Sequence, residues 1–250
     1  MGIKTSLTKR FNWLTKVKFD KKTGFYKYSC FNSNIYVRYP RHFIKESETQ
    51  WLCENLYYHY YLPKDNDVVV DLGAGYGEET VYLHSKSPNI KFFGVEIQPI
   101  IFECLSNTLN DLNKNFTCSS QAITTEESIS LFSHFSYASV GEQPTEGYID
   151  IATITWDDFL KKHNIESIDL FKMNIEGAEK DILSSITNFN IIKRFIISCH
   201  DFRANNGEGE FFRTKDYVLK ILKENNYQIQ TFKTGESWHK DWIYASREEL

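Results

Sequence analysis

The sequence predicts an α/β protein: a mostly parallel, seven-stranded sheet that closes with a C-terminal antiparallel hairpin and is preceded by an N-terminal extension. Three observations predict it. The β-branched run Val68-Val69-Val70-Asp71 breaks into Gly73-Ala74-Gly75-Tyr76-Gly77 and then a helical stretch, Glu78–Ser85, which is strand, tight turn and helix in succession. From there to Asn225, short apolar runs alternate with helical patterns, the sign of parallel strands joined by crossover helices. The segments Gln228–Phe232 and Trp242–Ala245 follow without a helix between them and read as a hairpin.

Taken in order, residues 1–62 form the extension and 63–250 the main domain. A short amphipathic helix is expected near Leu7–Val17, then strands Tyr26–Phe31 and Asn34–Tyr39, the second stopped by Pro40 because proline cannot donate to a ladder. A helix over Ser47–Tyr60 follows, with Ser47 as its cap and aromatics such as Trp51, Tyr57 and Tyr58 for packing and a pocket wall. The main domain gives strands Val68–Asp71, Lys91–Glu96, Phe116–Ser119, Ile168–Met173 and Phe195–Cys199. Helices are expected at Glu78–Ser85, Pro99–Asn113, from Trp156, at Ala178–Ser185 and at Thr214–Asn225. Ser128–Thr155 breaks the alternation: strands Ile129–Phe132 and Ile149–Ile154 flank a polar loop with Gly141, Pro144 and Gly147. His200–Glu210 reads as a long polar loop, a lid over a cleft or a solvent loop, and Trp238 and His239 stand in a second loop facing the same cleft or packing in the core.

At 41% apolar and 25% charged residues, the 250-residue chain has ordinary globular composition. No apolar run approaches the roughly 18 residues of a membrane span, and no signal peptide is visible. Five scattered cysteines show no metal-finger spacing and suit reduced thiols in the cytoplasm. Residues 1–28 carry eight Lys/Arg against Asp20, a net +7, while the whole chain is −4. Such an arm suits a membrane face, a phosphate-bearing substrate or another subunit of a homo-oligomer, and equally a solvated tail. Met1-Gly2-Ile3-Lys4-Thr5-Ser6 fits the myristoylation pattern, which is short enough to arise by chance. The acidic balance and the lack of an Asn-Pro-Pro-Tyr motif argue against nucleic-acid methylation.

The glycines let the backbone turn sharply and let a ligand lie against it. A dinucleotide fingerprint needs glycine at the first, third and sixth positions; counting from Gly73 the sixth is Glu78, so a nicotinamide-dependent sugar enzyme is disfavoured. An acid ending the strand, then Gly73-Ala74-Gly75-Tyr76-Gly77, instead resembles motif I of the S-adenosylmethionine-dependent methyltransferases. That resemblance implies a Rossmann-like class I fold, with Asp71 near the methionine end of the donor and Gly73, Ala74, Gly75 and Glu79 around it. Glu96, ending the second strand, is placed to take both ribose hydroxyls of an adenosine, with Ile97 beside it. Gln121-Ala122, just past the third strand, fall where adenine contacts arise in this architecture.

A second stretch narrows the family. Lys172-Met173-Asn174-Ile175-Glu176-Gly177-Ala178-Glu179, with Thr155-Trp156-Asp157-Asp158 ahead of it, resembles the signature of the FkbM-type methyltransferases over roughly residues 65–200. The family usually has aspartate where this chain has Asn174, an amide that cannot be an anionic metal ligand or a base but can still contact the donor's ammonium or carboxylate. The resemblance implies O-methyl transfer from S-adenosylmethionine, commonly to a sugar in polysaccharide, glycolipid or antibiotic biosynthesis; the expected acceptor is a sugar or nucleotide-sugar.

Asp71, Asn174, Glu176 and the pair His200-Asp201 should converge beyond the carboxyl ends of the strands, where open parallel sheets bind ligands. A sugar hydroxyl does not ionise unaided at neutral pH. Two solutions stay open: His200 as general base, or Mg²⁺ or Mn²⁺ held by Glu176, His200 and Asp201 to acidify the acceptor oxygen. Glu176 also reads simply as an acid at a helix N-terminus. A non-catalytic scaffold that keeps the fold and uses the basic arm to bind a membrane or glycosyltransferase is the alternative to an enzyme.

Overall fold

The core begins with strand β4 (Val68–Leu72), whose valines face both ways into apolar packing, Val69 and Val70 almost fully buried and Val68 partly so. Beside it run β5 (Lys91–Val95) and β6 (Phe116–Ser119) on one side, and β11 (Leu170–Met173) and β12 (Arg194–Ser198) on the other, all parallel. The hairpin strands β13 (Gln228–Thr231) and β14 (Trp242–Ser246) complete the sheet antiparallel, in the order β13-β14-β12-β11-β4-β5-β6. This computed structural model describes residues 15–126, 128–134, 137–140, 148–232 and 237–247. Met1–Ser6, most of the helix expected at Leu7–Val17, and Gly141, Pro144 and Gly147 lie outside them.

Helices cover both faces, as parallel strands buried on two sides require. Helices α4 (Trp156–His163), α5 (Glu179–Ser185) and α7 (Lys215–Glu224) pack Trp156, Phe159, Leu183, Val218 and Leu222 onto the face that carries Val70, Phe171 and Ile197. Helices α2 (Glu78–Lys86) and α3 (Pro99–Asn110) cover the other face with Leu83, Leu105 and Leu109 against Val69, Leu170 and Ile196. Thr155 caps α4 by accepting a hydrogen bond from the Asp158 amide at 3.1 Å, so one part of the family-like segment serves the helix start.

The extension builds its own small antiparallel sheet, β1 (Lys18–Asp20), β2 (Phe25–Cys30) and β3 (Ser33–Val37). It shares a core with the main domain, Tyr28, Ile35 and Val37 closing on Val81 of α2. The Tyr36 amide donates to the Thr108 hydroxyl of α3 at 3.0 Å. Strand β1 was not expected, since Lys-Phe-Asp has no apolar alternation. The expected helix Ser47–Tyr60 is two pieces: α1 (Glu46–Leu52), whose N-cap is Lys45 rather than Ser47, and a π-helical turn Cys53–Tyr57. The π-helical turn carries the chain on from α1 with Cys53, Leu56 and Tyr57 buried, the i, i+3, i+4 spacing that shares one helix face.

Between β6 and α4 the inserted segment forms a second sheet, not the expected strand pair. Its strands are β7 (Ala122–Ile123), β8 (Ser128–His134), β9 (Tyr137–Val140) and β10 (Tyr148–Ile154), in the order β7-β10-β8-β9. The expected loop after β12 is largely helical: α6 (Asp201–Asn205) and a 3₁₀ turn Glu210–Phe212. Phe212 is buried with the Arg203 guanidinium 3.9 Å above its ring. Trp238 and His239 sit on a 3₁₀ turn, Ser237–Asp241, and His239 is buried against Trp51, ring centroids 5.5 Å apart. The five cysteines are unpaired, four of them buried and Cys118 partly so. Among the described residues no helix is long and apolar enough to cross a membrane.

Candidate functional site

Cross-strand register sets the first cluster. Asp71 on β4 lies directly beside Lys172 on β11, so both side chains project to the same face at the carboxyl end of the sheet. The Lys172 ammonium is 2.9 Å from Asp71 and 2.7 Å from Glu79 on α2, and it lies 5.4 Å from the Tyr57 ring centroid. Burial disfavours the Lys172 cation, but the two carboxylates overrule it and raise its pKa. Burial pushes Asp71 up to about 6, against the opposing pull of Lys172. Two carboxylates share one cation, which leaves the cluster with a formal charge of −1, and Asp71 Oδ2 is buried without a hydrogen-bond partner. A cationic ligand group is what such a cluster lacks.

The glycine turn is built for a ligand at one position and for close packing at another. Gly73 has φ +82°, and a Cβ there would overlap the Asn174 carbonyl oxygen, so β4 and β11 approach too closely for any side chain. Gly75 has φ +56° and nothing within 4 Å of where a Cβ would stand. Its amide donates to Glu96 Oε2 at 3.1 Å, and Glu96 Oε1 accepts from the Gln98 amide at 2.9 Å. Burial pushes the Glu96 carboxyl up to about 7, with those backbone amides opposing it. Each Glu96 oxygen retains acceptor capacity, which suits two ribose hydroxyls. Ile97 packs on Ala122 and Ile151 to give an apolar wall next to Glu96, of the kind an adenine ring takes. Gln121 is engaged elsewhere: its amide donates to the Thr153 carbonyl at 3.1 Å and accepts from Lys162 at 2.6 Å. These residues fit S-adenosylmethionine.

The second cluster surrounds His200. The chain kinks after β11, where Glu176 (φ +55°) and Gly177 (φ +107°) are both left-handed, a strained path of the kind found at functional sites. Gly177 is required, because a Cβ would overlap the Phe211 ring. His200 is buried, with Nε2 3.4 Å from Glu176 and Nδ1 3.2 Å from Glu179. Burial disfavours its cation, but hydrogen bonds to the two carboxylates raise its pKa to about 9. Glu176 also takes the Arg203 guanidinium at 2.5 Å. Burial works against the Glu176 carboxylate, yet His200 and Arg203 hold its pKa below the usual value.

This geometry corrects two expectations. His200 is held as a cation between carboxylates at neutral pH and has no free nitrogen to act as a base. The expected metal set does not fit a divalent cation. Two cations already occupy Glu176, and Asp201 turns away to cap α7, accepting from the Thr214 and Lys215 amides at 2.9 and 3.1 Å. Among the described residues no group of three His, Cys, Asp or Glu is arranged to hold a metal. Asn174 is half-buried after β11, its backbone N–H donating to the Leu72 carbonyl at 2.9 Å.

Three residues emerge that sequence reading had not placed in the site: Lys172, Glu179 and Arg203. For Lys172 the signal was a charge inside the apolar run Leu170-Phe171-Lys172-Met173. For Glu179, fully buried with Oε1 accepting from the Gly177 amide at 3.2 Å, and for Arg203, spacing carried no signal.

A family model described as the methyltransferase FkbM domain matches residues 71–229. No curated protein sequence matches the chain. Among solved structures, the METTL16 MTase domain is similar over 100% of this chain and 93% of that chain, at 12% identity and a TM-score of 0.51. The precorrin-6y C5,15-methyltransferase from Geobacter metallireducens GS-15 is similar over 82% and 90%, at 12% identity and 0.47. Fibrillarin from Aeropyrum pernix, with natively bound S-adenosyl-L-methionine, is similar over 74% and 69%, at 14% identity and 0.44. At 12% identity the likeness to the METTL16 MTase domain speaks to the fold alone.

Proposed function

The chain belongs to the FkbM methyltransferase family and is an S-adenosylmethionine-dependent methyltransferase, and from that premise we propose that it methylates a hydroxyl of a sugar or nucleotide-sugar. The observation that carries the donor half of the reading is the Glu96 carboxylate bonded to the Gly75 amide beside an open glycine face, next to a buried cluster of charge −1; the acceptor class rests on the family resemblance. Gly73 to Gly75 and Glu96 would hold the donor's ribose, Ile97 and Ala122 its adenine, and Asp71, Glu79 and Asn174 its methionine end.

When bound, the donor supplies an activated methyl group on a sulfonium. The remaining work is to align an acceptor oxygen and remove its proton. Glu176 is the proton acceptor in this reading, through the lone pair each of its oxygens keeps beyond His200 and Arg203, with no step through a metal. Its low basicity suffices, because the hydroxyl becomes strongly acidic as the oxygen gains its new bond to carbon. His200 and Arg203 hold the Glu176 carboxylate in place, and Glu179 holds His200. Trp51, 47% exposed and tilted against His239, offers an aromatic face of the kind sugars stack on.

Calorimetry with S-adenosylmethionine and its demethylated product tests the donor site, and transfer of labelled methyl to a nucleotide-sugar panel tests the acceptor class. Binding of neither donor form would sink the reading; donor binding with no transfer to any sugar would leave a methyltransferase of another acceptor.

A further inference from the structure

The extension carries two arginines without ionic partners to the edge of the glycine turn. Arg38, Tyr39 and Arg41 follow β3 and are exposed. Both guanidinium carbons lie over the same ring, 4.8 and 4.9 Å from the Tyr39 centroid. Neither pairs with a carboxylate among the described residues. His42, next along, lies with Nδ1 2.7 Å from the Tyr76 hydroxyl, and the two rings are 5.2 Å apart. Tyr76 stands between Gly75 and Gly77, so the patch and the donor turn share a side chain. Burial and the two arginines lower the proton affinity of His42, with no acid opposing them.

The described part of the extension has the same sign: residues 15–45 hold eight Lys/Arg and a single acid, Asp20, a net +7 in a chain of −4. Like charges held together without counterions are a standing repulsion, which an anion relieves. Both guanidinium groups are held within 4.9 Å of one ring centroid, and a guanidinium fork is suited to paired contacts with phosphate oxygens. S-adenosylmethionine carries no phosphate, so a phosphate bound here comes from another molecule, and beside the donor turn the candidate is the other substrate.

We propose that Arg38 and Arg41, steadied by Tyr39, form a subsite for the phosphate groups of the acceptor, which makes that acceptor a nucleotide-sugar or another phosphate-bearing sugar rather than a neutral glycan. This rests on the methyltransferase reading above and narrows its substrate class.

The test is calorimetry with inorganic pyrophosphate and with uridine diphosphate glucose on wild type, Arg38→Gln/Arg41→Gln and Arg38→Lys/Arg41→Lys. Both sites are exposed, and circular dichroism checks that each variant is folded. The glutamine variant should bind pyrophosphate at least about tenfold more weakly, the lysine variant should recover part of that loss, and S-adenosylmethionine affinity should stay within about twofold in all three. Equal pyrophosphate affinity in wild type and glutamine variant, or none in either, overturns the subsite. Sedimentation with phosphatidylglycerol vesicles forms a separate arm: arginine-dependent vesicle binding with unchanged pyrophosphate binding would assign the patch to a lipid surface and also overturn it. Failure of wild type to bind S-adenosylmethionine would remove the parent reading while leaving the pyrophosphate comparison intact.

Discussion

Replacing Lys172 with methionine removes the single cation between Asp71 and Glu79 at nearly constant volume. The ammonium stands 2.9 and 2.7 Å from the two carboxylates, and its side chain and that of Asp71 are each 1% exposed. At an effective dielectric constant near 20, each contact is worth roughly 6 kcal/mol before desolvation. Removing one partner of such a buried pair costs about 3–5 kcal/mol net. Asp71 limits that cost by taking a proton. Its folded pKa of about 6 already lies above the ordinary aspartate value of 3.8. A raised carboxyl contributes stability that is fully present below its unfolded pKa and is lost as pH rises through the folded one. Without Lys172 the folded value climbs further, so the variant keeps this contribution to higher pH than wild type does. Its deficit should therefore be about 3 kcal/mol near pH 8 and clearly smaller near pH 5.5. Urea unfolding followed by circular dichroism at both pH values, with the denaturant slope checked for constancy, measures it. A deficit under about 1 kcal/mol near pH 8, or one that does not shrink on acidification, would refute the reasoning.

Glu96→Gln should weaken S-adenosylmethionine binding by about 10- to 100-fold, the worth of hydrogen bonds to a charged group. Wild type should also release protons on binding near pH 7, because ribose hydroxyls favour the ionised form of a carboxyl whose pKa stands at about 7; calorimetry in buffers of different ionisation enthalpy reads this, and Glu96→Gln should abolish it. His200, with its pKa raised to about 9 from 6.5, contributes stability that is fully present below pH 6.5 and is lost as pH rises through 9. His200→Gln should flatten the fall in melting temperature over that interval, and an unchanged slope would count against the ion-paired imidazolium.

The parts of the fold that were legible in sequence are those whose signal is local. The valines of β4 announce a buried strand, and Gly73, Gly75 and Gly77 announce a turn because each takes a positive φ. Glu96 was legible because a strand end next to a glycine turn is a fixed place. The site beyond it depends on register. Lys172 meets Asp71, 101 positions earlier, only because β11 pairs with β4 in one alignment. His200-Asp201 looked like a joint acid–base pair because the two are adjacent. A helix starts at Asp201, so one side chain turns inward to Glu176 and Glu179 while the other caps α7. Strands β1, β7 and β9 were missed because short strands on small sheets carry no strong alternation.

The unpaired cysteines give this molecule its own set of clocks. Burial pushes the Cys30 and Cys104 thiols up to about 12 and raises those of Cys53 and Cys199 as well, so none reacts while its surroundings stay closed. They are spread over the N-terminal sheet, the π-helical turn, α3 beneath the glycine turn, and the end of β12. The rate at which each is alkylated therefore times the opening of a different region. A donor that docks on the turn should slow Cys104 and Cys199 while leaving Cys30 to keep its own pace.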